Sequence, residues 1–204
     1  MPAPPIKVVI FDLGEVLLRG LLGAEERIAP RIGWPPERVN KALHGAHLER
    51  LFRGEISEDR YIAAVLEETG WMISPQTFKA LLRENFDEIP GTRAIIKTLK
   101  EKFKIVVLSV HAREWIDYCR GIYGLDQVFS DGAFFSFEMA AMKPEREAFH
   151  AVLETLRKAP EEVLFIDDSE ANVQAARQLG IHVIQFESAE KLKKDLMDLG
   201  ILEG

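Results

Sequence analysis

The chain predicts an α/β fold built on a doubly wound parallel sheet, with a helical insertion after the first strand. Three observations carry that expectation. Five short apolar runs, at 7–11, 104–108, 127–129, 163–166 and 182–186, are mostly continuous rather than alternating in polarity. Parallel strands covered on both faces require such runs. Helical periodicity fills the gaps between the later runs, and strands alternating with helices indicate a doubly wound sheet. The alternation breaks once, where about ninety residues separate the first run from the second. A crossover helix needs far fewer.

The elements follow in order. The first run ends Val8-Val9-Ile10-Phe11-Asp12-Leu13-Gly14. In the long interval, Val39, Ala42, Leu43 and Ala46 form one helical stripe, Ile62, Val65 and Leu66 a second, and Phe78, Leu81 and Leu82 a third. Pro35-Pro36 and Ser74-Pro75 stand at helix starts and Gly70 at a stop. Residues 18–86 therefore read as a helical cap, and Pro90-Gly91 marks the return to a core of 1–17 and 87–204. Further on, Phe149, Val152, Leu153 and Leu156 recur at i, i+3, i+4 and i+7, one face of a helix between the third and fourth runs.

Composition narrows the function classes. The 204 residues are 47% hydrophobic and 29% charged, which excludes disorder and leaves room for one core with a modest insertion. The single cysteine, Cys119, excludes an internal disulfide and a cysteine-built zinc site, and fits a reducing cytoplasm. No apolar run approaches the roughly 20 residues that span a bilayer. The opening Met1-Pro2-Ala3-Pro4-Pro5 has neither the basic flank nor the apolar stretch of a secretory signal. With 26 Lys and Arg against 33 Asp and Glu, the net charge of −7 argues against a broad nucleic-acid surface. A small cationic pocket for an anionic substrate is compatible with it.

Chemistry concentrates at strand ends. Polar residues follow the apolar runs directly at Asp12, at Ser109 and at Asp167-Asp168-Ser169. In doubly wound sheets, ligands bind beyond the carboxyl ends of strands where the winding reverses. A strand order of 3-2-1-4-5 makes the second, first and fourth strands neighbours, so these residues would converge. Three carboxylates in one crevice need a counter-charge. A hard cation supplies it, and Mg²⁺ prefers carboxylates, waters and a substrate phosphate. Aspartate also serves as a nucleophile through an aspartyl-phosphate. Ser109, followed by free N–H groups of a starting helix, suits a phosphate oxygen. Lys143, before Pro144, is the candidate cation.

These residues resemble the four motifs of the haloacid dehalogenase-like hydrolase superfamily, in order along the whole chain. They read Phe11-Asp12-Leu13-Gly14-Glu15-Val16-Leu17, then Leu108-Ser109-Val110-His111, then Met142-Lys143-Pro144, then Phe165-Ile166-Asp167-Asp168-Ser169 with Asn172. The chain is most similar to small bacterial phosphatases whose first motif reads Asp-Leu-Gly-x-Val. The resemblance implies a Rossmann-like core with a helical cap and a cytoplasmic, Mg²⁺-dependent phosphatase acting on a small phosphorylated metabolite. It further implies that Asp12 attacks phosphorus and ligates the metal, with the Gly14 carbonyl, Asp168 and Asp167 completing the ligand set. Ser109 and the Val110 N–H would hold the phosphoryl group, Lys143 would neutralise it, and Asn172 would steady a carboxylate or Lys143. His111 is a further candidate at the substrate entrance.

Two departures stand out. Gly14 replaces the second carboxylate of the first motif, which normally acts as general acid and base. Val110 replaces a frequent asparagine. Glu15 is a substitute acid in principle, but alternation along a strand would point it to the opposite face. Three other readings stay open: a metal-free 2-haloacid dehalogenase, which has no need of Asp167-Asp168; a weakly active binding or regulatory protein, because of Gly14; and a mutase.

Singly, each motif has a bland alternative. Asp12-Leu13-Gly14 could be a turn, Asp167-Asp168-Ser169 a helix cap, Ser109 another cap and Lys143 a surface lysine. Elsewhere the bland reading wins. His44 and His47 are expected at the surface rather than on a metal, Arg19, Arg50 and Arg53 as surface cations, Cys119 as packing, and the lysines at 191–194 as a solvated face.

Overall fold

A computed structural model describes residues 5–203. Residues 1–4, most of the segment read above for a secretory signal, lie outside the described residues. Five strands, β1 (Val8–Phe11), β2 (Lys104–Ser109), β3 (Ala133–Phe135), β4 (Val163–Asp167) and β5 (His182–Gln185), form one parallel sheet. Their order is β3-β2-β1-β4-β5, the 3-2-1-4-5 arrangement expected of a Rossmann-like core.

Every residue of β1 and of β4 is buried. Because side chains alternate across a strand, Val9 and Phe11 join one apolar cluster and Val8 and Ile10 the other. On the second face they meet Phe149, Val152 and Leu153 of a helix at Arg146–Leu156, as the periodicity of that segment predicted. Covering both faces explains the continuous apolar runs, at about 1.5–3 kcal/mol for each large side chain removed from water.

Between β1 and β2 lie six helices: α1 (Ala24–Ile32), α2 (Pro36–Leu43), α3 (Ala46–Phe52), α4 (Glu58–Thr69), α5 (Pro75–Arg83) and α6 (Thr92–Leu99). Pro36 and Pro75 open α2 and α5. The Ser74 hydroxyl accepts the Thr77 N–H at 3.0 Å, and Gly70 closes α4 at φ 68°. The chain leaves and re-enters the core side by side. Arg19 N–H donates to the Asp87 carbonyl and Ile89 N–H to the Leu17 carbonyl, both at 2.8 Å.

After β2 come α7 (Arg113–Tyr123), α8 (Leu125–Val128) and α9 (Ser136–Met139). A buried carboxylate, Glu58, ties α4 and α5 to α7. It accepts the Trp115 indole N–H at 2.9 Å and Arg83 at 2.8 Å, with Lys79 at 3.0 Å.

Two local expectations fail. The run at 127–129 is not the third strand: Leu125 and Val128 are buried from the short helix α8, and β3 follows at Ala133–Phe135. An i, i+3 apolar pair next to Phe129 imitates a three-residue strand. The stripe from Val39 to Ala46 is not one helix either. The chain breaks at His44-Gly45, with Val39 and Leu43 buried from α2 and Leu48 and Leu51 from α3.

Candidate active site

The sheet register delivers the candidate residues to one place. Phe11 is level with Ile166 in β4 and Val107 in β2. Asp12, Asp167 and Ser109 thus leave three adjacent strands at the same end, and Asp12 N–H donates to the Ile166 carbonyl at 2.8 Å. Lys143 reaches in from the loop between α9 and the helix at Arg146–Leu156. A turn shapes that loop: Glu145 N–H donates to the Met142 carbonyl at 2.7 Å, and Met142 N–H to the Glu145 carboxylate at 2.9 Å.

Lys143 is buried between two carboxylates, with Nζ 2.9 Å from Asp12 Oδ1 and 2.6 Å from Asp167 Oδ2. Burial opposes its charge, but Asp12 and Asp167 hold the ammonium above its usual value. Asp167 is fully enclosed. Besides Lys143 it accepts Asn172 Nδ2 at 2.9 and 3.2 Å and the Ser169 N–H at 2.9 Å. Asp12 Oδ1 also takes the Leu13 N–H at 2.6 Å, and Oδ2 has no protein hydrogen bond among the described residues. Burial, reinforced by Asp167 and opposed by Lys143, pushes the Asp12 carboxyl up to about 7. Asp168 is half-buried, and burial followed by Asp167 raises its carboxyl as well.

Asp12, Asp167 and Asp168 each offer one carboxylate oxygen, and the three oxygens lie within 4.8 Å of one another. Hard oxygen donors at that spacing fit a Mg²⁺ ion. The Ser109 hydroxyl is buried and has no hydrogen-bond partner among the described residues. Such an orphan is rare in a folded interior, and an anionic oxygen in the crevice would satisfy it.

Above this cluster lies a cavity of about 260 Å³. Asp12, Asp168, Gly14, Val110 and His111 form its floor, and Leu21, Leu48, Phe52, Phe86 and Trp115 wall it. The His111 imidazole sits 5.7–6.3 Å, centroid to centroid, from Trp115, Phe86 and Phe52. Burial lowers its pKa to about 4.

The structure corrects one placement. Glu15 lines this cavity rather than the opposite face. The strand ends at Phe11, so alternation no longer applies, and Glu15 adopts φ 53° in a turn. Its carboxylate accepts the Gly20 N–H at 2.7 Å.

The bland readings hold elsewhere. His47 pairs with Glu68 at 2.8 Å, and His44, exposed at the cavity mouth, bonds the Asn40 carbonyl at 3.0 Å. The only cluster of three metal-capable side chains among the described residues is the aspartate trio. Arg50 pairs with Glu55 and Arg53 with Glu49 and Glu145, and neither Arg50, Arg53 nor Arg19 lines the cavity. Cys119 is buried, and burial pushes its thiol up to about 12. The apolar wall was invisible in the sequence, since Leu48, Phe86 and Trp115 come from separate segments and carry no shared spacing.

The family model for haloacid dehalogenase-like hydrolases matches residues 6–180. The chain belongs to that family. This hydrolase is 30% identical over 188 residues to a phosphorylated carbohydrates phosphatase of Thermotoga maritima, covering 88% of this chain and 84% of that one. It is 24% identical over 197 residues to the flavin mononucleotide hydrolase 1 of Arabidopsis thaliana, covering 96% and 78%. A HAD family enzyme from Bacteroides thetaiotaomicron, whose structure holds magnesium and inorganic phosphate, superposes with a TM-score of 0.76. It is 25% identical, and the match covers 90% of this chain and 95% of that one. No helix among the described residues is long and apolar enough to cross a membrane.

Proposed function

We propose that this hydrolase is a Mg²⁺-dependent phosphatase of small phosphate monoesters, working through an aspartyl-phosphate on Asp12. The observation that carries the reading is the orphaned Ser109 hydroxyl on the strand next to that of Asp12, whose carboxylate pairs with Lys143 and lines the cavity. A phosphorylated carbohydrates phosphatase and a flavin mononucleotide hydrolase among its relatives support the substrate class.

Asp12 Oδ1 is tethered by Lys143 and the Leu13 N–H, which leaves Oδ2 to attack phosphorus. The new O–P bond forms as the ester P–O bond breaks, and the leaving alkoxide takes a proton from solvent to depart as the alcohol. Water then attacks phosphorus and returns Asp12 as a carboxylate, releasing inorganic phosphate. Ser109 and the Val110 N–H would bind the non-bridging oxygens, and Lys143 would neutralise them and orient Asp12. Asn172 and the Ser169 N–H would hold Asp167 so that Lys143 stays aimed. Asp12, Asp168 and the Gly14 carbonyl would hold Mg²⁺, with Asp167 completing the set directly or through water. When bound, the ion offsets the clustered carboxylates and the charge of the phosphoryl group. A dehalogenase has no use for that third carboxylate.

Residues 18–86 would act as a lid on the core of 1–17 and 87–204. They contribute Leu48, Phe52 and Phe86 to the wall, and a closed lid excludes water and aligns the substrate.

The test is phosphate release from sugar phosphates, nucleotides and aryl phosphates, with Mg²⁺ and with chelator. Release should need Mg²⁺ and vanish in Asp12→Asn. Wild-type turnover by purified Asp12→Asn would sink the covalent mechanism.

A further inference from the structure

The cavity wall is apolar and aromatic, and its charges are all of one sign. Asp12, Asp168 and Glu15 line it, while no lysine or arginine does so among the described residues. Two arginines of the lid, Arg50 and Arg53, are paired with carboxylates away from the cavity. Arg53 bonds Glu145 at 2.5 Å, and Arg50 lies 3.4 Å from Glu55. Lys143 is not part of the lining; it is held by Asp12 and Asp167, where it would serve the transferred phosphoryl group. A substrate bearing a second phosphate or a carboxylate would therefore place that anion in an apolar cavity with no partner. Burying an unpaired charge is costly.

Among the described buried side chains that line the cavity, the His111 ring is the one neutral donor left free, since the Trp115 indole N–H is taken by Glu58. The His111 N–H donates to Ser136 Oγ at 3.1 Å, and Ser136 Oγ donates to the Phe52 carbonyl at 2.6 Å. The backbone at position 111 is thus clamped between the core and the end of α3. On the ring, Nδ1 accepts the Ala112 N–H at 3.1 Å. An imidazole nitrogen that accepts cannot carry the proton, so the neutral ring bears its hydrogen on Nε2. With Nδ1 turned to its own backbone, the ring edge left to the cavity is the one that carries Nε2. That ring edge presents a donor and no acceptor.

We propose that the cavity selects monophosphates of uncharged alcohols, and that the Nε2–H of His111 donates to one oxygen of that alcohol. The proposal rests on the phosphatase reading and adds to it the class of alcohol and the residue that reads it.

Two matched comparisons test it in the full-length protein with Mg²⁺. The first sets 4-carbamoylphenyl phosphate against 4-carboxyphenyl phosphate, which differ chiefly in charge. The amide should be favoured at least tenfold in kcat/KM, and Leu22→Arg, at the exposed mouth of the cavity, should narrow that gap severalfold. The second sets ribose 5-phosphate, rich in acceptor oxygens, against phenyl phosphate, which has none beyond the ester.

Whatever its absolute rates, His111→Phe should lower the ribose-to-phenyl ratio of kcat/KM by about 3–10-fold, the worth of one neutral hydrogen bond. His111→Gln, which retains a donor, should restore most of it. Independently of any variant, ¹⁵N NMR of the wild type at pH 7 should show a neutral His111 ring protonated on Nε2.

Equal cleavage of the carboxylate and the amide, an unchanged ratio in His111→Phe, or a ring protonated on Nδ1 overturns the inference and leaves the phosphatase standing. No release from any of these esters would sink both.

Discussion

Replacing Asp12 with asparagine should make the metal-free protein more stable while ending its chemistry. The amide keeps the geometry, since its oxygen can still accept the Leu13 N–H and Lys143, now at 2.6 and 2.9 Å from Oδ1. Only the negative charge goes. Burial beside Asp167 raises the Asp12 carboxyl from the ordinary 3.8 to about 7. The metal-free fold therefore binds this proton more tightly than the unfolded chain does. Its stability falls as pH rises between about 4 and 7, at ~1.4 kcal/mol per pH unit, or about 4 kcal/mol once the carboxyl is ionised. Asparagine removes that penalty. In chelator at pH 8 the variant should gain about 2–4 kcal/mol, and at pH 4.5 only about 1 kcal/mol. For a chain of this size each kcal/mol is roughly 2–4 °C in Tm. Urea denaturation of both proteins at the two pH values reads the difference, and contributions from other groups cancel in it. Excess Mg²⁺ should narrow the gap, because wild type binds it better and gains RT ln(1 + [Mg²⁺]/Kd). A variant no more stable than wild type at pH 8, or a gain equal at both pH values, would refute the reasoning.

Three further outcomes follow from the same site. His111 is held neutral, its pKa lowered by burial from 6.5 to about 4, so the fold binds fewer protons there than the unfolded chain. In the Asp12→Asn background, stability should fall by about 3 kcal/mol as pH drops from 6.5 towards 4, and adding His111→Phe should flatten that limb in urea melts. Ser109→Ala removes a buried hydroxyl that has no partner, so stability should stay within about 1 kcal/mol of wild type while phosphate release falls roughly 100-fold. An added Cβ at Gly14 meets nothing within 4 Å, so that loop has room for a side chain. A general acid contributes roughly 10²–10⁴-fold, and Gly14→Asp should raise turnover of an alkyl phosphate more than that of an aryl phosphate. If Glu15→Gln abolishes alkyl turnover instead, Glu15 already supplies the proton.

The centre of the site was legible because it is built from strand ends. An apolar run followed at once by a polar residue marks where a parallel strand stops, and the ladder then sets neighbouring stops side by side. Asp12, Ser109 and Asp167 could be brought together from a strand order and nothing more, and Lys143 from the charge they require. Small features misled where one pattern serves two structures. A few apolar residues at 125–129 satisfy a short helix as well as a strand, and the stripe from Val39 to Ala46 spans a break at His44-Gly45 that apolar spacing does not reveal. Glu15 was misplaced because the period of two ends with the strand, and its direction depends on a local φ of 53°. The wall of the cavity belongs to tertiary structure alone. Leu48, Phe86 and Trp115 meet there from distant segments, and whether an arginine faces a substrate or a glutamate is decided by the folded neighbours of Arg50 and Arg53. The sequence by itself determined which polar residues end the strands of the candidate site, since strand ends and their charges are local patterns. Packing between distant segments decided the shape and residual charge of the cavity above them, because neither exists until those segments touch.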